Sequence, residues 1–212
     1  EDTLMLLNHK SAIEFMVDAV PTEGITVPVI VDLQAKLMRD LLRDARDIGS
    51  IRRRVVNIDG SVYTPSSIPS LLEETLNVIV DKVRSIRNPV EAAFFLWVNL
   101  AYLQPFADGN KRTSRLSANM PLMLYNCAPL SFLDVERSDY ATAMLGIYEQ
   151  RDVSAAVDLF EFIYRRSIQK YSVLRASVAA PDPIRTKYRQ TLNELMQFVV
   201  FHGRTLEAAF AE

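Results

Sequence analysis

The sequence predicts an all-α domain carrying one small β-hairpin, and three observations point to it. Glycine is scarce, 6 in 212 residues, so few positions invite a break in a helix. Apolar residues recur at helical spacing along most of the chain. One stretch, "RRRVVNIDGSVYTP" (52–65), changes rhythm. It sets β-branched residues on both sides of Asp59-Gly60, a dipeptide that favours a tight hairpin turn.

The elements follow in order. Segment 3–20 places Leu6, Ile13, Met16 and Val17 in an amphipathic pattern, and "PTEGIT" breaks it. A second helix is expected over 27–48, with Gly49 as the residue just past its end. The hairpin over 52–65 has no sheet to join. Its exposed edge is either a place for a visiting peptide strand or a plain excursion between helices. Ser67 and Pro69 open the next helix, and Asn88-Pro89 the one after it. Val90, Phe94, Trp97, Val98, Ala101 and Tyr102 fall on one stripe of that helix, the pattern of a core face, and Pro105 stops it. Further helices are expected over 110–125, 137–149, 154–176 and 183–210. Residues 1–175 read as one domain. Residues 176–212 read as a linker, "ASVAAPDPIR" (176–185), and a C-terminal helix.

Composition narrows the function. An apolar fraction of 49% fills one substantial core. A net charge of −2 gives no pull toward nucleic acid or membrane. No apolar run approaches the ~18 residues of a membrane span. The single cysteine, Cys127, excludes an internal disulfide and reads as a small buried apolar residue, so a reducing, cytoplasmic setting is expected. The chain opens on Glu1 with no initiator methionine or signal peptide, as a fragment would. His9 and His202 read as structural or solvated. The "IRRRV" run (51–55) reads as a solvated face that could also draw in an anion.

The chemistry gathers in "PFADGNKR" (105–112). Phe106, apolar between polar neighbours, is expected to plug the loop into the core. Gly109 permits positive φ or close backbone approach. Asn110, Lys111 and Arg112 open the following helix, where free N–H groups and the positive dipole end favour phosphate. Asp108 just before them suits Mg²⁺, which commonly takes one or two carboxylates plus phosphate oxygens. On these residues alone the loop is either a nucleotide polyphosphate site or an ordinary helix start. It is not a Walker loop, because that spacing is absent.

"QPFADGNKRTSR" resembles the signature of the Fic family (Fic/Doc, or Fido, fold), H-P-F-x-[D/E]-G-N-[G/K]-R, with only the leading histidine replaced. "SVYTPSSIPSLLEETLN" is similar to that family's flap-to-helix passage, and "ERSDYATAMLGIYEQRD" to the passage after the motif helix. The likeness covers roughly residues 8 to 170. It implies a Fic/Doc-type helical bundle with a hairpin flap. It also implies transfer of a nucleotide, usually AMP from ATP, to a Ser, Thr or Tyr hydroxyl of a target protein. By position, Asp108 would hold Mg²⁺, and Gly109, Asn110, Lys111 and Arg112 would hold the phosphates. Arg115 matches the second arginine, which pairs with an inhibitory glutamate in self-inhibited members. Val56, Asn57, Ile58 and Tyr63 would form the flap that aligns the target peptide as an added strand. A homodimer is compatible with the resemblance. The inhibitory motif [S/T]-x-x-x-E-[G/N] is not found in place, and is expected upstream of residue 1 or absent. Lys111 is shared with Doc-type members, which transfer a γ-phosphate as kinases do.

Gln104 stands where the family has its histidine base. A glutamine amide takes up no proton at biological pH and can only orient a hydroxyl. Loss of a general base typically costs ~10²–10⁴-fold in rate, while positioning and phosphate electrostatics survive. The sequence therefore leaves two readings: a transferase with impaired or altered activity, and a catalytically silent nucleotide- or peptide-binding module.

Overall fold

The computed structural model of the chain describes residues 2–133 and 135–177, and the helix expected over 183–210 lies outside the described residues. The chain divides into two compact units, Glu1–Gln169 and Lys170–Glu212, of which the first is a helical bundle.

Helix α1 (Asp2–Glu23) buries Asn8, Ala12, Met16, Ala19 and Val20. The expected stripe is rotated: Leu6, Ile13 and Val17 are exposed, and of that set only Met16 is buried. Ala12, Met16 and Val20 of the buried face join one core with Val29, Ile30, Leu33, Leu37 and Met38 of α2 (Val27–Met38). Thr26 caps α2, its hydroxyl accepting from Val29 N–H at 3.3 Å.

The second helix is shorter than expected. It stops at Met38, and Asp40 adopts φ 58°, a left-handed value that ends helical geometry. The buried Asn8 amide captures the released carbonyls of Leu37 and Arg39 at 3.3 and 2.7 Å. Only a 3₁₀ turn, Ala45–Asp47, follows before Gly49, which has φ 64° as a residue closing a helical turn does.

Helix α3 (Pro69–Ser85) begins at Pro69 as expected, but its N-cap position is Ile68 and no side chain caps it. Helix α4 (Pro89–Leu103) is capped by Asn88, whose Oδ1 accepts from Val90 and Glu91 N–H. The helix expected over 110–125 is divided at Ala118 into α5 (Asn110–Ser117) and α6 (Asn119–Leu124). Asn119 bonds both the N–H and C=O of Leu130 and so ties the following loop down. Helix α7 (Arg137–Leu145) runs into a π-helical turn, Gly146–Gln150, and α8 (Ser154–Ser177) follows.

Helix α4 organises the interior. Leu96, Leu100 and Leu103 join a core built with α1, α2, α3 and Phe106. The predicted stripe of Val90, Phe94, Trp97, Val98, Ala101 and Tyr102 joins a second core with α6, α7 and α8. A helix apolar on both sides belongs at the centre of a bundle. Its C-terminus therefore delivers Gln104 to a fixed place.

The expected hairpin is present only as a turn. Gly60 has φ 79° and Ser61 N–H donates to Ile58 C=O at 3.1 Å, but no strand forms among the described residues. Side-chain bonds hold the arms instead. Arg52, fully buried, donates from Nε to Gln104 C=O at 2.6 Å, from Nη1 to Arg54 C=O at 2.8 Å and from Nη2 to Ser66 C=O. Its N–H reaches Pro105 C=O at 3.0 Å. No carboxylate pairs with it among the described residues. Burial lowers its pKa, and the three carbonyls compensate the charge.

Replacing Arg52 by Met should leave three buried acceptors short of donors and lower stability by about 3 kcal/mol or more. The expected readout is a lower urea midpoint with an unchanged slope. Arg52→Lys should recover only part of the loss, because an ammonium cannot span the three acceptors as a planar fork does.

Candidate functional site

The loop between α4 and α5 is held by its own side chains. Gln104 ends α4 with φ 51° and ψ 57°, its N–H on Leu100 C=O. Phe106, 1% exposed, plugs the first core as its sequence position suggests. Asn110 then closes the loop: its Oδ1 accepts from Phe106 N–H at 2.9 Å and its Nδ2 donates to Phe106 C=O at 2.8 Å. Gly109, at φ 80°, sits so close to α2 that a Cβ there would meet Met38 Sδ at 2.7 Å. From α2, Gln34 donates to Asp108 C=O at 3.2 Å and accepts from Gly49 N–H at 2.7 Å.

This closure leaves the start of α5 open. The first intrahelical bond is Thr113 N–H to Gly109 C=O, so the N–H groups of Asn110, Lys111 and Arg112 take no acceptor among the described residues. They face a cleft of about 400 Å³ walled by Asn57, Ile58, Asp59, Gln104, residues 107–112 and Arg115. Arg112 rests an Nη2 on Met38 Sδ at 3.1 Å, a weak acceptor that leaves its charge uncompensated. Arg115 lies over the rings of Tyr140 and Phe132, 5.4 and 6.0 Å from their centroids, and donates from Nε to Lys111 C=O. Three cations and three free N–H groups thus share one concavity, a disposition suited to an anion with several phosphates.

Residues 24–122 match the model of the Fic/DOC family. That segment of the chain is a Fic/DOC-type domain. It is 32% identical over 123 residues to "Protein adenylyltransferase Fic" of Nematostella vectensis, a match covering 56% of this chain and 28% of that protein. The Drosophila melanogaster protein of the same name is 29% identical over 117 residues, 55% of this chain and 23% of that one. The chain thus spans about a quarter of these relatives. Fic-1 from C. elegans shares the fold at a TM-score of 0.68 and 23% identity, over 83% of this chain and 52% of that one. BepC from Bartonella tribocorum, solved with bound AMPPNP, has a TM-score of 0.60 at 14% identity, over 76% of this chain and 84% of that one.

Within the Fic domain, the residues expected at the phosphates, Gly109, Asn110, Lys111, Arg112 and Arg115, all line the cleft with Asp108 and Gln104. Their parts differ from a simple reading, since the Asn110 side chain is taken up inside the loop and offers the cleft only its N–H. Of the four flap residues, Asn57 and Ile58 reach the cleft wall. Ile58 is also buried in the second core, and Tyr63 turns inward to stack on Tyr102 at 4.5 Å. Val56 is half-buried and does not line the cleft. The backbone N–H and C=O groups of Val55, Val56 and Asn57 take no partner among the described residues, so this arm presents an open edge. Cys127 is half-buried rather than buried.

Three participants escaped the sequence reading. Asp59, read only as a turn former, lies on the cleft wall. His9 comes from α1 to the far side of Arg112 and Arg115. Partial desolvation, then the two guanidinium charges, hold its imidazole below the ordinary value. Tyr148, on the π turn, buries its hydroxyl against Gln104. Burial pushes the phenol pKa up, Gln104 draws it part of the way back, and no bond of good geometry joins them. Nothing in their local sequence marks these contacts, which are made across the fold.

Gln104 as a residue is 6% exposed, and its Nε2 donates to Ala101 C=O at 2.6 Å. Its Oε1 is therefore the atom left for a hydroxyl donor. Because the Tyr148 hydroxyl is buried without a partner, Tyr148→Phe should keep or raise thermal stability, by up to about 1 kcal/mol. A calorimetric melting scan checks this, and a drop of Tm would show that the hydroxyl is bonded in solution.

Proposed function

We propose that this Fic domain binds ATP or another nucleoside triphosphate with Mg²⁺, at a site of the AMP-transfer type whose turnover is impaired by Gln104. The observation that carries this reading is the meeting of the Asn110–Arg112 N–H groups with Lys111, Arg112 and Arg115 on one cleft. The relatives' name, protein adenylyltransferase, and the AMPPNP bound to BepC support the choice of nucleotide.

Asp108 is exposed at the cleft mouth, and its carboxylate suits Mg²⁺ shared with phosphate oxygens, where the ion would neutralise phosphate charge. The free N–H groups and Arg112 would hold the phosphates, and Arg115 would lend charge from one turn further on. In transfer, a target hydroxyl oxygen bonds to the α-phosphorus as the bond to the pyrophosphate oxygen breaks. Gln104 Oε1 can accept a hydrogen bond from that hydroxyl and so aim it. The proton must then leave to a phosphate oxygen or water, because an amide does not take it. The target is a protein whose extended segment pairs with the open Val55–Asn57 edge, bringing a Ser, Thr or Tyr hydroxyl over the cleft.

A second reading, a binding module without turnover, draws on the burial of the Gln104 side chain and its bond back to Ala101. ATP labelled in the α-phosphate, with Mg²⁺ and whole-cell lysate, separates the two. Wild-type labelling should be weak, Gln104→His should raise it by ~10²–10⁴-fold with ATP affinity unchanged, and Arg112→Ala should abolish it. Robust wild-type labelling that Gln104→Ala removes would end the silent-module reading. Calorimetry showing no heat with any Mg-nucleotide would end both.

A further inference from the structure

The flap has two arms that are treated differently. The arm before the Asp59–Gly60 turn leaves the backbone of Val55, Val56 and Asn57 unpaired among the described residues. The arm after it is tied down by one carboxylate 87 residues further along the chain. Glu149 Oε1 accepts from Val62 N–H at 3.1 Å and from Ser61 Oγ–H at 2.9 Å. Ser61 Oγ in turn accepts from Tyr63 N–H at 3.2 Å. The Tyr63 hydroxyl donates to Tyr102 C=O at 3.3 Å, and its ring lies on Tyr102. Three successive residues of a segment without ladder bonds are thus ordered from a single oxygen. No cation pairs with Glu149 among the described residues, so these are the contacts its charge makes.

Glu149 belongs to the π turn Gly146–Gln150, where one extra residue per turn re-aims side chains. Tyr148 beside it abuts Gln104, and Ile147 packs into the second core. Neighbouring residues of one turn therefore hold the flap, face the base position and anchor both to the bundle.

We propose that Glu149 is a positioning residue that fixes the second arm of the flap, so that a target strand docks on the Val55–Asn57 edge alone and in one register over the cleft. A strand edge offers N–H and C=O groups to any passing chain, and register is weakly specified on a short, mostly exposed segment. Taking up Val62 N–H and ordering Tyr63 N–H removes the competing edge. It also stops the turn from swinging relative to Gln104. The inference rests on the proposed docking of a target segment for its purpose, but the brace itself can be tested without it.

Amide hydrogen exchange on the full chain reads the brace directly. In Glu149→Ala, exchange at Val62 and Tyr63 should accelerate by about tenfold while α4 amides stay unchanged. Glu149→Gln, which keeps an acceptor oxygen, should restore most of the protection. Unchanged Val62 exchange in Glu149→Ala would overturn the proposal. The docking role is read in the Gln104→His background with α-labelled ATP and titrated lysate. Adding Glu149→Ala should raise the lysate concentration for half-maximal labelling by about fivefold or more, with the ATP concentration for half-maximal labelling unchanged. Faster exchange with no such shift would sink the docking role. Absence of label from Gln104→His would instead sink the AMP-transfer reading, with the exchange result still deciding the brace.

Discussion

One buried guanidinium holds the working parts of this molecule together. Arg52 stands at the root of the flap, and its donors reach a carbonyl on each arm and the carbonyl of Gln104. Its own N–H takes the next carbonyl, that of Pro105. Interior burial of a cation is costly unless every donor finds an acceptor. Here the acceptors are main-chain groups that the absence of a strand ladder has left free. The two needs satisfy each other: the flap root needs donors, the charge needs acceptors, and the arrangement that serves both fixes the flap against the end of α4.

The same logic runs through the motif loop. A loop that presents N–H groups to an anion must satisfy its remaining polar groups internally, or water would compete inside it. Asn110 does this by folding its amide onto Phe106, and Gln34 does it by spanning Asp108 and Gly49. Met38 fills the space under Gly109 that a side chain would have taken, and its sulfur also supports Arg112. What remains unsatisfied points at the cleft. The arginines differ in how they are kept there. Arg112 lies on a sulfur that barely competes for its charge, while Arg115 is stacked on aromatic faces that steer it without neutralising it. His9 behind them stays below its ordinary pKa partly for the same reason that an anion is attracted: the local field is positive.

Around Gln104 the structure is polar. The Tyr148 phenol abuts it, and burial keeps that phenol protonated. The amide is bonded back to its own helix, and its backbone is bonded on both sides. A group held this firmly can orient a partner but not carry a proton away. What Gln104 itself can contribute is thus alignment.

The sequence by itself determined the helical class, the boundaries marked by Asn88-Pro89 and Pro69, and the motif that gathers on one cleft. Those features are local: a cap, a proline, a glycine that needs positive φ, and three consecutive residues at a helix start act through neighbours in the chain. The central stripe of α4 was legible too, because a buried helix face repeats at a fixed period. The tertiary structure alone decided the rest. The arms of the hairpin are held by side chains instead of a ladder, by Arg52 at its own root and by Glu149 from the distant π turn. The buried face of α1 is the one that packs on α2 through Ala12, Met16 and Val20. Asp59, His9 and Tyr148 came to the site across long stretches of chain. Such contacts have no period and no spacing, since the partner that fixes each one lies wherever the fold places it.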